Sequence, residues 1–241
     1  MNEMNIWDIV TGFLIGIATG VVVDIIVRLL PIGENLRYTL LFNWRKFTKW
    51  VHNVPIKVKY VNKTQNLESR KMDVETLVKN VEEVLYHNDF TLSGKLGNSV
   101  VATRLYGKSE IKVTLSPSYV TVPEEGDSET LIVSQIQGEY EITNCRYKDF
   151  TGNLIELLQV SFDLQKSMRD IAGDWFQDSL TCEISKLYEY TGVFSQLKLS
   201  SLSGKMAGKY SVTLSEKQMT VYGKLEQTLI SMVKDVIAFY Y

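Results

Sequence analysis

The sequence predicts an α+β protein with one N-terminal transmembrane helix and one domain built on an antiparallel sheet. Three observations lead to this fold class. Residues 9–27 form an almost unbroken apolar run. Residues 74–87 place apolar side chains at helical spacing, and short segments between residues 90 and 147 have the composition and alternation of strands. We expect packed helices to cover one face of the sheet.

The chain divides into three predicted regions. Residues 1–30 hold the transmembrane helix, residues 31–55 form a juxtamembrane amphipathic segment, and residues 56–241 form a cytoplasmic α+β sensor domain. The chain has 241 residues, of which 45% are hydrophobic and 22% charged, so the last region is long and apolar enough to bury a core. Cations predominate over acids in residues 28–112 and acids predominate in residues 113–190, so only the first half is expected to face an anion or lipid headgroups.

The apolar run is long enough to cross a membrane as a helix. At 1.5 Å per residue it would span about 29 Å, close to the roughly 30 Å hydrocarbon core of a bilayer. A cleaved signal peptide is the alternative, but the first eight residues contain Glu3 and Asp8 and no Lys or Arg. Cations that follow the run, beginning with Arg28, favour an inner-membrane topology with the N-terminus outside and the domain in the cytoplasm.

Gly12, Gly16 and Gly20 recur every four residues and share one face of the predicted helix. Glycines at this spacing allow a second helix to approach closely, which predicts a homo-oligomer. The same face carries charged residues at its ends, namely Asp8, Asp24 and Arg28. If the assembly encloses a lumen, the two aspartates would form acidic rings at its mouths, as in cation-selective pores. A plain anchor with incidental glycines is the alternative.

The segment from Asn35 to Val51 combines aromatic and basic side chains directly after the predicted span. Segments of this composition usually lie in the headgroup plane of a membrane. The residues predicted at the membrane interface are Arg37, Trp44, Arg45, Lys46, Lys49 and Trp50. The alternative is a linker helix that packs on the following domain. Pro55 ends the segment in either case.

An internal duplication is predicted within the domain, with repeats over residues 73–172 and 177–241. The sequence Leu-Ser-Gly-Lys-Leu at 92–96 recurs as Leu-Ser-Gly-Lys-Met at 202–206, and Val-Thr-Leu-Ser at 113–116 recurs at 212–215. Two such halves would resemble a TATA-box-binding-protein-like or helix-grip architecture, in which a sheet curves around a ligand or partner. We expect each repeat to open with a helix. In the second repeat, its apolar stripe would include Leu180, Ile184, Leu187 and Tyr188.

The two Ser-Gly-Lys segments are open to two interpretations as turns. Glycine could supply the positive φ of a hairpin turn. Alternatively, the backbone amides could bind an anion together with Lys95 and Lys205.

No catalytic or metal-binding motif is found in the sequence. Neither a phosphate-binding glycine loop nor a His-Glu-x-x-His motif occurs, and the two histidines, His52 and His87, lie near no nucleophile or ligand set. Cys145 and Cys182 are too few and too far apart for a disulfide framework or a zinc site. We therefore expect no enzymatic activity, no metal and no cofactor.

A short glycine-striped span on a sensor-sized, non-catalytic domain resembles the membrane effectors of nucleotide-signalled bacterial antiphage defence systems, and in its layout the Hailong membrane effector. The resemblance implies a tetrameric ion channel or membrane-permeabilising protein. Its cytoplasmic domain would bind a gating ligand, either a nucleotide or, as the likeness to the Hailong effector implies, a short single-stranded DNA that holds the channel shut. Its partners would be membrane lipid and a cognate nucleotidyltransferase. The resemblance assigns no ligand-contacting residue. The alternative function is a non-conducting, membrane-anchored scaffold or adaptor that binds a protein partner.

Overall fold

The computed structural model describes residues 34–68, 71–106, 109–123, 129–184, 201–206, 210–215, 218–223 and 227–240. The chain divides into two compact units, residues 1–47 and residues 48–241. The helices are α1 (Glu34–His52), α2 (Val74–His87), α3 (Phe150–Ser167), α4 (Arg169–Ala172) and α5 (Gln227–Tyr240). The strands are β1 (Ile56–Thr64), β2 (Thr91–Leu96), β3 (Ser99–Tyr106), β4 (Ser109–Pro123), β5 (Glu129–Thr143), β6 (Trp175–Ile184), β7 (Ser201–Met206), β8 (Tyr210–Ser215) and β9 (Gln218–Tyr222).

These strands form one antiparallel sheet in the order β2-β3-β4-β5-β1-β6-β9-β8-β7. The first strand in the chain therefore lies at the centre of the sheet, and β2 and β7 lie at its two ends. In β1, Ile56, Val58 and Tyr60 are buried, whereas Lys57 and Lys59 between them are not. This alternation is what a strand with one covered face requires.

Helix α2 begins at a side-chain cap and packs through one stripe. The carboxylate of Asp73 accepts a hydrogen bond from the Thr76 backbone N–H at 2.8 Å, which satisfies a donor of the first turn. Leu77, Val81 and Leu85 follow at four-residue spacing and are all buried. The stripe faces β2, β3 and β5.

Helices α2, α3 and α5 form one layer over the sheet. Helix α3 contacts α2 on one side and α5 on the other, and it also contacts β1 and β5. Its buried side chains include Leu154, Leu157 and Leu164, and those of α5 include Val233 and Ile237. The core lies between this layer and the face of the sheet beneath it.

The predicted fold class is wrong. The structure shows a mixed α/β domain on a large antiparallel sheet, and no helix among the described residues is both long and apolar enough to cross a membrane. Helix α1 has 19 residues, but its charged side chains include Arg45, Lys46 and Lys49. The expectation of a membrane-spanning helix that forms an ion channel is corrected with the fold class. The predicted span itself, with Gly12, Gly16, Gly20, Asp8, Asp24 and Arg28, lies outside the described residues.

The helix predicted to open the second repeat needs correction, whereas the duplication itself stays a prediction. The sheet is continuous across both expected repeats, and its central strand β1 precedes them. The helix expected to include Leu180 and Ile184 is instead strand β6, in which Leu180 and Cys182 alternate as buried residues opposite Tyr60 and Val58. Leu187 and Tyr188, expected in the same helix, lie outside the described residues.

Candidate strand-addition edge

The two end strands of the sheet have almost the same sequence. Residues 92–96 of β2 read Leu-Ser-Gly-Lys-Leu, and residues 202–206 of β7 read Leu-Ser-Gly-Lys-Met. Every residue of β2 is exposed, as is every residue of β7 except the partly exposed Met206. An edge strand leaves a row of backbone N–H and C=O groups without a ladder partner on its outer side. Both strands could therefore receive a further strand.

The neighbouring strands extend the likeness. The hydroxyls of Ser93 in β2 and Thr103 in β3 are 3.2 Å apart, and those of Ser203 in β7 and Thr213 in β8 are 3.3 Å apart. Strand β2 therefore corresponds to β7, and β3 corresponds to β8. Ser93 and Ser203 are separated by the same number of residues in the chain as Thr103 and Thr213. The sequence match of residues 113–116 with 212–215 does not follow this relation, because the first segment lies in β4 and the second in β8.

Strand β2 carries an irregularity that turns its lysine inward. Its register with β3 shifts between Leu92, opposite Ala102, and Gly94, opposite Val101, so that Ser93 is an extra residue. After this bulge, Lys95 lies opposite the buried Val100, on the side that the helices cover. There the Lys95 ammonium is 2.6 Å from the Glu82 Oε1 of α2. A bulge and an inward-pointing charge are both features that oppose edge-to-edge pairing.

Strand β7 has neither feature. Its register with β8 runs without a shift from Ser201, opposite Ser215, to Met206, opposite Tyr210. Leu202, Gly204 and Met206 therefore lie on the helix-covered side, opposite the buried Leu214, Val212 and Tyr210. Lys205 lies opposite the exposed Ser211, on the other face of the sheet. Within the described ranges, the two edges therefore differ in both register and charge.

The lysines of the predicted anion-binding turns belong to strands. Lys95 lies within β2 and Lys205 within β7, so the interpretation of both segments as turns is wrong. The positive φ of 62° belongs to Gly97, which follows β2. The Lys95 ammonium is already paired with a carboxylate of α2.

Two of the predicted membrane-interface residues contact the sheet domain. The Lys49 ammonium donates a hydrogen bond to the Ala238 carbonyl at 3.2 Å, and the Lys148 ammonium lies 4.4 Å from the centre of the Trp50 ring. These are contacts that a linker helix packed on the domain would make.

The other predicted interface residues lie in the first unit, where the Trp44 and Phe47 rings are 5.9 Å apart and Lys46 lies 5.4 Å from the Phe42 ring. For Arg37, Trp44, Arg45 and Lys46 the membrane interface stays a prediction.

A buried polar cluster connects α3 to the centre of the sheet, and no pattern in the sequence indicated it. The Asn62 Nδ2 of β1 donates to Ser161 Oγ at 3.2 Å and to Tyr140 OH at 3.5 Å. Gln165 Nε2 donates to the same Ser161 oxygen at 2.8 Å. Burial raises the pKa of Tyr140 to about 12, so its hydroxyl stays protonated at neutral pH and cannot act as a base there. We interpret the cluster as structural.

The two thiols are buried and poorly suited to nucleophilic chemistry. Burial raises the pKa of the Cys145 thiol and, more strongly, that of the fully buried Cys182 thiol. The thiolate is the reactive form of cysteine, so both side chains are inert in the folded domain. Within the described ranges, no group of three or more His, Cys, Asp or Glu side chains could hold a metal ion.

Comparison with known proteins identifies no family for this chain. No family model matches it, and no curated protein matches it. A crystal structure of a functionally uncharacterized protein from Streptococcus mutans aligns with 73% of this chain and 93% of its own length, at 10% sequence identity and a TM-score of 0.16. A TM-score this low supports no conclusion about the fold or the function of this chain.

Proposed function

We propose that this chain is a non-catalytic scaffold that binds a protein partner by accepting an extended segment of that partner at the edge strand β7. The observation that carries the proposal is the difference between the two edges. They have almost the same sequence, yet β2 has a bulge and an inward lysine, whereas β7 has neither. Among the described strands, β7 is therefore the sheet edge with a regular register and no charged side chain on the helix-covered side, the two properties that favour pairing with another strand.

Strand addition uses two kinds of contact, and β7 supplies both. Hydrogen bonds along the main chain give affinity, and alternate side chains give specificity. On the helix-covered side, Leu202 is 42% exposed, and Met206, four residues further along the strand, is partly exposed, so an added strand could bury apolar side chains at both positions. On the opposite side, Ser203 and Lys205 would meet polar or acidic side chains of the added strand.

The open face of the sheet next to β7 is mostly polar, although Tyr222, opposite Ser211, is an exposed aromatic residue on it. From Ser203 the row of cross-strand neighbours continues through Thr213, Thr220 and Thr181 to Lys59 on the central strand. Thr181 and Thr220 join their hydroxyls at 3.3 Å, and the Lys59 ammonium is 2.6 Å from a carboxylate oxygen of Glu139. The added strand would therefore be an isolated edge contact rather than part of a broad apolar interface.

A selection with random ten-residue peptides, displayed and panned on the full-length protein, tests the proposal. Selected peptides should bind in extended form and slow the hydrogen exchange of the β7 amides. Gly204→Lys places a charge on the helix-covered side of β7, where a Cβ meets no atom within 4 Å, so the fold should tolerate it. We expect this variant to weaken peptide binding by about tenfold or more, as an inward charge on an edge does.

Gly152→Lys is the matched control, because a Cβ on Gly152 in α3 also meets no atom within 4 Å and lies in a different element from β7. It should bind the peptides as the wild type does. If the selection yields no peptide, or if Gly204→Lys binds the selected peptides unchanged, the proposed function is wrong.

A further inference from the structure

The apolar residues of β7 are placed symmetrically about Gly204, with one polar residue between Gly204 and each apolar end. Residues 202–206 read apolar, hydroxyl, glycine, lysine, apolar, with Gly204 in the middle. If a second copy of this strand is placed antiparallel with the two Gly204 residues opposite each other, Leu202 of each copy faces Met206 of the other. In the same register, Ser203 of each copy faces Lys205 of the other.

We infer that β7 pairs with the β7 strand of a second copy of this chain. The inference rests on the proposed function, because it names the strand that binds at the same edge. The pairing produces a two-fold axis normal to the sheet at Gly204. Such an axis reverses the strand direction, as antiparallel pairing requires, and keeps the helix layers of both copies on the same side of the joined sheet. Leu202 and Met206 then meet on that side, next to the buried Leu214 and Tyr210.

The register avoids the contacts that disfavour other pairings. Directly opposed like charges destabilise an antiparallel pair, and here each Lys205 faces a serine hydroxyl instead of the other lysine. The central Gly204 pair brings no side chain to the axis, and the backbone there has room, since a Cβ at this position meets no atom within 4 Å. At both ends of the paired segment, Leu202 of one copy faces Met206 of the other.

The other edge explains why the assembly closes at two copies. Strand β2 has the same chemical order, but its bulge at Ser93 shifts the register and its partly exposed Lys95 lies on the helix-covered side, paired with Glu82. A second self-pairing edge would extend the sheet from copy to copy into an open chain. Because the bulge and Lys95 oppose pairing at β2, the two copies pair only through their β7 strands, in an isologous contact. The expected assembly is a dimer and not the predicted tetramer.

Two measurements on the full-length protein test the inference. Sedimentation velocity over a dilution series should show a dimer that dissociates on dilution. Gly204→Lys should raise the dissociation constant by about tenfold or more, because the substitution puts two cations opposite each other at the axis. Gly152→Lys should leave the dissociation constant unchanged.

Oxidative cross-linking locates the contact. The paired Cα atoms of an antiparallel ladder lie about 4.5–5.5 Å apart, within the range that a disulfide bridges. Gly204→Cys should therefore give a covalent dimer with a mild oxidant, whereas Gly152→Cys should not; the native Cys145 and Cys182 are buried. A chain that is monomeric at every concentration, or a dimer that Gly204→Lys leaves intact and Gly204→Cys does not cross-link, overturns the inference. If peptides still bind β7 in a monomeric chain, the proposed function stands without it.

Discussion

Replacing Gly138 with alanine should destabilise the domain, because the added methyl group has no room in the buried polar cluster. Gly138 lies in β5 opposite Asn62 of β1. A Cβ on Gly138 would overlap Asn62 Oδ1 and would lie 3.0 Å from Cε2 and 3.2 Å from the hydroxyl of Tyr140. Since Asn62 and Tyr140 are both 0% exposed, neither side chain can move into solvent to make room.

The expected cost has two parts. Forcing an extra methyl group into a packed core typically costs about 1–3 kcal/mol. Displacing the Asn62 amide also weakens its 3.2 Å hydrogen bond to Ser161, and a hydrogen bond of this kind contributes about 0.5–1.5 kcal/mol. We therefore expect Gly138→Ala to lower the free energy of unfolding by about 2–4 kcal/mol.

Urea unfolding of the full-length protein, followed by circular dichroism, measures this change. Gly152→Ala is the control with the opposite expected sign. Its Cβ meets open space in helix α3, and alanine favours a helix over glycine by up to about 1 kcal/mol. Gly138→Ala should also cost less when Asn62→Ala has already removed the overlapping oxygen. A neutral or stabilising Gly138→Ala, or a cost that is the same in both backgrounds, would refute the steric explanation.

Three further predictions concern other parts of the domain. Cys145 and Cys182 should resist thiol reagents at pH 7 and react after denaturation, because burial raises both pKa values; a colorimetric thiol assay measures this. The hydrogen bond to Thr76 is the main reason why the pKa of Asp73 in the folded protein lies below its usual 3.8. The ionised Asp73 therefore stabilises the folded state fully above pH 3.8, and this stabilisation is lost as the pH falls through the lower pKa of the folded state. The difference in urea midpoint between wild type and Asp73→Ala should shrink over that range; an unchanged difference contradicts the capping role. Lys95→Thr removes the inward charge of β2, and because Lys95 is 57% exposed it should change the free energy of unfolding by less than about 1 kcal/mol. The same variant should form assemblies larger than a dimer in sedimentation velocity. If Lys95→Thr forms no larger assembly, Lys95 is not the feature that prevents pairing at β2.

Local signals in the sequence predicted some elements well. Helix α2 runs from Val74 to His87, as the apolar spacing of residues 74–87 indicated, and Asp73, a residue type typical of helix caps, precedes it and caps its first turn. Both signals act within a few residues of each other, so no information about the rest of the fold was needed.

The central strand β1 was missed although its signal was present. Ile56, Val58 and Tyr60 alternate with Lys57 and Lys59, which is a period of two. The sequence around β1 does not show that this strand lies between β5 and β6, because both partner strands are distant from it in the chain. The assignment of Leu180 and Ile184 to a helix failed for a related reason, since four-residue spacing fits either a helix or a strand.

The difference between the two edges could not be predicted from the sequence. The two Leu-Ser-Gly-Lys segments are identical, and the side on which each lysine lies depends on the register of its strand with the next one. One extra residue in β2 reverses the side on which its lysine lies, and the sequence of the segment does not show whether the strand contains a bulge.

Hydrogen exchange at the amides of residues 201–206 in the full-length protein tests most directly whether β7 is the pairing edge. The exchange should slow as the protein concentration rises through the dimerisation range, and Gly204→Lys should abolish this dependence while the β2 amides exchange at the same rate throughout. Exchange at β7 that is independent of concentration and as fast as that of β2 would contradict the pairing of this edge.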